Sequence, residues 1–167
     1  IDPTMMEQRD SIVKVILSRM FSRLQGYEKE REQQNPGRER EKYRRLLERF
    51  RECFHNLMTL EQRAEPYDDE DELEQISELS DSTNMRGAIC GLIQAFLEYV
   101  CPQEKACLVL QIDDADLNIS QAYRIIDDIR RYLILPQTVV LLAANMHQLE
   151  SVVEQDFISR YQVSIQH

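Results

Sequence analysis

Tryptophan is absent, glycine occurs four times and histidine three times in the 167 residues. So little glycine excludes collagen-like and glycine-rich low-complexity architectures. No apolar run approaches the roughly 20 residues that cross a bilayer. The first residues also lack the basic-then-apolar layout of a secretory leader, so a soluble cytoplasmic protein without a membrane partner is expected. Cysteine is sparse: Cys53, Cys90, Cys101 and Cys107 form neither a C-x-x-C pair nor a dense framework. They read as reduced core or surface thiols rather than as metal ligands or disulfides. Positive charge is short as well. Twenty Lys and Arg stand against thirty Asp and Glu, a net charge of -10 that repels phosphate backbones and anionic headgroups. No direct nucleic-acid face is expected.

What is present is a chain of one domain's length, 43% hydrophobic and 30% charged, with two halves of different character. Residues 1–66 carry 14 basic and 12 acidic side chains, whereas residues 67–167 carry 6 and 18. In the first half Ile12, Val13, Ile16, Leu17, Met20, Phe21 and Leu24 recur at helical spacing, which predicts an amphipathic helix starting near Met6 and broken by Asn35-Pro36-Gly37. A second helix is predicted from about Arg38 to Gln62, with Tyr43, Leu46, Leu47, Phe50, Phe54, Leu57, Met58 and Leu60 as its stripe. The two can pair as a hairpin, or offer their stripes to a protein partner.

The acidic run from Asp68 to Glu72 predicts a solvated linker near 66–81. Ser82 or Thr83 then reads as the cap of a helix running to Val100 and stopped by Cys101-Pro102.

After residue 103 the periodicity changes. Ala106 to Ile112 and Thr138 to Ala144 are short apolar runs of the kind buried on both faces of a parallel sheet. Helical spacing fills 119–134 and about Met146 to Tyr161, and Gln162 to Gln166 alternates like an edge strand. The expected division is a helical region over 1–103 and an α/β part over 104–167.

Chemistry is concentrated where the first of these strands ends. Leu108-Val109-Leu110-Gln111-Ile112 runs into Asp113 and Asp114, two adjacent carboxylates at the carboxyl end of a strand, where open α/β sheets bind ligands. One can hold a hydrated magnesium ion and the other can polarise a water for attack on a phosphate. Asp116 and Asn118 extend this polar tip, and the whole segment reads equally as a strand-exit turn and helix cap.

An apolar strand closed by Asp-Asp resembles the Walker B strand of P-loop NTPases, and the segments that follow resemble the AAA+ and STAND branches of that superfamily. Thr138 to Ala144 ends in Asn145 as a sensor 1 strand does, and Phe157-Ile158-Ser159-Arg160-Tyr161 is similar to the Ser-Arg segment that carries an arginine finger. The resemblance covers about 104–167. It implies a partial parallel P-loop NTPase-type sheet, ATP and Mg2+ as ligands, Asp113 holding the metal through water, and Asp114 as general base. It further implies Asn145 as nucleotide sensor and Arg160 as a finger acting between copies of a homo-oligomer. At the front, Ile1-Asp2-Pro3-Thr4 looks like the exit of a further sheet strand into its helix, or like sequence left by cloning ahead of Met5.

The departures are specific. None of Gly26, Gly37, Gly87 and Gly91 opens a G-x-x-x-x-G-K-[ST] cradle, so nothing in these residues delivers phosphates to the acidic pair. Asp114 stands where many AAA+ proteins carry Glu, which disfavours fast hydrolysis. A fragment of an ATPase is one reading. The other is a non-enzymatic helical interaction module on a degenerate scaffold. A receiver-like phosphoacceptor is weaker still, because Lys105 is the last lysine and none follows a late strand.

Overall fold

The computed structural model of the chain describes residues 1–3, 6, 11–34, 40–63, 72–102, 105–113, 115, 119–151, 154 and 158. Three long helices, α1 (Ile12–Gln34), α2 (Arg40–Arg63) and α3 (Glu72–Val100), precede a small α/β part. That part holds β1 (Leu108–Ile112), α4 (Ile119–Asp128), a π-helical turn (Ile129–Leu133) and β2 (Thr138–Leu142). Residues 146–151 are helical again.

The helices form because their apolar side chains fall on one face, and that face is consumed. Ile12, Ile16, Leu17, Met20 and Leu24 of α1, Leu46, Phe50, Cys53 and Leu57 of α2, and Met85, Ile89, Leu92, Phe96 and Tyr99 of α3 all enter one core. Phe21 meets Phe50 edge to face with centroids 5.4 Å apart. The expected hairpin of the first two helices is not the main pairing: α2 packs most extensively on α3, while α1 touches α2, α3, α4 and the π turn. Burial pushes the Cys53 thiol up to about 12, with Glu52 adding to the shift, so it is packed as an inert small hydrophobe. All four cysteines are free thiols, Cys101 and Cys107 at the surface.

α3 differs from its expected course. It begins at Glu72 and passes through Ser82 and Thr83 without interruption, so residues 72–81 are helical rather than linker. The rest of the acidic run, Asp68 to Asp71, lies outside the described residues.

The start of α1 is tied to the far end of α4. Ser11 is the N-cap: its Oγ accepts the Val13 N–H at 3.2 Å and donates to Asp128 Oδ2 at 2.9 Å. Burial pushes the Asp128 carboxyl above its ordinary value, and the hydrogen bonds from Ser11 and from the Ile12 N–H partly offset that rise. A second tie runs from α3, where the Arg86 guanidinium donates to the Arg131 and Ile134 carbonyls at 3.3 and 2.9 Å. The Thr138 hydroxyl, which accepts the Leu135 N–H at 3.0 Å, fixes the entry to β2.

β1 and β2 pair in parallel, with Leu108 opposite Thr138 and Ile112 opposite Leu142. Their connection through α4 is the crossover that parallel neighbours require. The general α/β class therefore holds, in a molecule dominated by helix. Burial on both faces does not hold for the described residues. Leu110 and Ile112 point to the helices and are buried, whereas Val109, Val139 and Leu141 on the opposite face are each about half exposed. The strand anticipated at Gln162 to Gln166 lies outside the described residues.

Candidate functional site

Parallel pairing in register brings the carboxyl ends of β1 and β2 to one edge of the sheet, and the two polar residues that lead away from them come with it. Asp113 follows β1 directly and is exposed. Its backbone is held on one side by its N–H, which donates to the Ile1 carbonyl at 2.8 Å. The neighbouring Ile112 carbonyl accepts the Ala143 N–H at 2.9 Å, and the Ala115 N–H donates to the Ala143 carbonyl at 3.3 Å, so the two strand exits are stitched together past the ladder.

Asn145 ends the β2 exit. Its Oδ1 accepts the His147 N–H at 3.1 Å and approaches the Gln148 N–H at 3.5 Å, which makes it the cap of the helical residues 146–151. That cap occupies Oδ1 and leaves the side-chain NH2 as the group Asn145 can offer a ligand. His147 beside it is fully open to solvent, with Nδ1 3.9 Å from Glu150.

Asp114, Asp116, Asn118 and Arg160 lie outside the described residues. Among the described residues no three His, Cys, Asp or Glu side chains gather as a metal-binding group. A single exposed carboxylate at a strand end does not make a protein cage for Mg2+. It does fit an ion that keeps most of its waters and takes its other ligands from phosphate oxygens.

A groove of about 640 Å³ lies elsewhere, along the outer edge of β1. Its floor is Leu108 to Gln111, its walls include Ile16, Met20, Arg19 and Arg23 of α1 and Phe96 and Val100 of α3, and Ile1 closes one end. Sequence reasoning passed over it. The only available signal was that α1 carries Arg19 and Arg23 four residues apart beside its apolar stripe.

Of the two readings given for the apolar stripes of α1 and α2, packing within the chain is the one their burial fits, since their main residues are in the core. No helix among the described residues is long and apolar enough to cross a membrane. No protein-family model matches the chain, and no curated protein matches it.

Proposed function

We propose that this chain supplies the acidic side of an ATP site in a P-loop-type ATPase of the AAA+ or STAND kind, whose phosphate cradle lies outside these 167 residues. The observation that supports this reading is that Asp113 and Asn145 both follow the carboxyl ends of two adjacent parallel strands. Two polar groups 32 positions apart in the chain reach one edge only through that topology. In this reading Asp113 holds a hydrated Mg2+ through its water shell, Asp114 accepts a proton from the attacking water, and the Asn145 NH2 donates to a phosphate oxygen. Arg160 reaches the site of a neighbouring copy and offsets developing charge there, which makes the working form a homo-oligomer. When bound, the magnesium ion neutralises phosphate charge. The protein's own contribution is to place the donors and the base, and the backbone hydrogen bonds that join the two strand exits favour that placement.

The non-enzymatic module gains less support, because the helical stripes that would carry it are used within the chain. The test is Mg2+-dependent ATP turnover by the full-length protein with and without Asp114→Asn. Loss of turnover by about 100-fold or more, with retained nucleotide binding, is the expected outcome for removal of a general base. Turnover unchanged by the substitution, or no turnover in the unsubstituted protein, overturns the catalytic reading.

A further inference from the structure

The helix that leads to β2 ends just ahead of a proline, and the backbone donors there run short. The last carbonyls of any helix lack intrahelical partners. In the π turn the Ile134 N–H donates to the Ile129 carbonyl at 3.2 Å, five residues back. The Leu135 N–H goes to the Thr138 hydroxyl at 3.0 Å, and Pro136 has no N–H to give. The Arg131 carbonyl therefore loses the backbone donors that lie three, four and five residues ahead of it. Arg86 of α3 supplies one instead: one nitrogen of its guanidinium donates to the Arg131 carbonyl at 3.3 Å and the other to the Ile134 carbonyl at 2.9 Å.

The same backbone groups permit a second arrangement. In a regular α turn the Ile134 N–H goes to the Arg130 carbonyl and the Leu135 N–H to the Arg131 carbonyl. Each of those bonds takes a proton that is engaged elsewhere now. The first opens the π closure, and the second removes the Leu135 N–H from Thr138 while competing with Arg86 for the Arg131 carbonyl. Thr138 is the first residue of β2, opposite Leu108. Its hydroxyl also donates to the Leu133 carbonyl at 2.6 Å, and its N–H donates to the Leu135 carbonyl at 3.1 Å. A π turn is uncommon and recurs at functional positions. Here it is held from outside, by Arg86 on one side and Thr138 on the other.

We propose that the turn Ile129–Leu133 is a two-position joint through which α3 controls the entry to β2. With Arg86 seated, the turn is wide and Thr138 is latched to it. With Arg86 withdrawn, the turn winds into the α form, the Leu135 N–H moves to the Arg131 carbonyl, and Thr138 loses the amide it holds. Arg86 is thus a positioning residue that acts through the carbonyls of the turn. A switch is favoured over general loosening because each arrangement gives both amides a carbonyl or hydroxyl partner, and an amide left bare is costly. Arg86 is exposed, so an acidic group or water can take its guanidinium without opening the core. The inference does not depend on the nucleotide reading.

The experiment identifies the carbonyl bound by the Ile134 amide, from the scalar coupling that NMR detects across a hydrogen bond, in the full-length protein and in Arg86→Ala and Thr138→Val. Without substitution the coupling is to Ile129. Both variants are expected to move it to Arg130. Arg86→Ala is also expected to speed exchange of the Thr138 amide about fivefold or more, with the Leu92 and Ile93 amides of α3 unchanged. A coupling that stays at Ile129 in both variants makes Arg86 a surface contact only and overturns the proposal. Loss of coupling to both carbonyls means that the turn frays rather than switches, and overturns it too. A shift in only one variant breaks the link between α3 and the entry to β2, with the same consequence.

Discussion

The helical layer and the sheet of this molecule are finished to different degrees. Each long helix buries its apolar face against the other two, and side chains such as Leu17, Leu46 and Leu92 are almost wholly removed from water. The sheet, by contrast, has one covered face, and Val109, Val139 and Leu141 stand about half exposed on the other. One edge carries a groove and a single bridging residue. Three helices can close a core by themselves, because a helix satisfies its own backbone and needs a partner only for its stripe. Strands need partners for both side chains and backbone, so two of them expose whatever is not supplied. The difference places the closed core in the helices and the exposed apolar side chains in the sheet.

That contrast can be broken most forcefully with one pair of substitutions that remove the same atoms. Leu92→Ala empties a fully buried site in α3, and a loss of about 2–5 kcal/mol is expected from urea unfolding. A loss below about 1 kcal/mol would mean that the helical core is loosely packed. Ser11→Ala cuts the joint between the two regions, removing the N-cap of α1 and the hydroxyl bound to Asp128. The expected cost is about 1–2 kcal/mol, and Asp128→Asn in the same background should recover part of it by removing the buried charge. Leu141→Ala on the open face is the smallest change, within about 0.5 kcal/mol in this chain. A cost comparable to that of Leu92→Ala would show that the open face is covered after all.

The periodicity of α1 and α2 was legible because each stripe is dense and bounded by breakers. Both strands were legible too: runs rich in Val, Leu and Ile placed β1 and β2 within two residues of their ends. What sequence could not give was coverage. An apolar run states that a strand tolerates burial, whereas whether a helix lies over it depends on where the remaining elements pack. The start of α3 was misplaced for a local reason. Ser80 to Asn84 is a cluster of good cap residues, and such residues sit inside a helix when the turns before them are also favourable. Of the candidate site, the strand ends that Asp113 and Asn145 follow were legible in the sequence, but the engagement of Asn145 as a cap and the groove beside β1 arise from packing. Ile1 illustrates both sides. Its four-residue context suggested a strand exit, yet its bonds to Gln111 and Asp113 join residues more than a hundred positions apart.

The most direct test of the account is hydrogen exchange across the full-length protein with and without Mg2+ and a non-hydrolysable ATP analogue. The account predicts added protection at Asp113 and at residues 143–145, with the interior amides of α1, α2 and α3 unchanged. Protection confined to the helices, or none at the two strand ends, would contradict it.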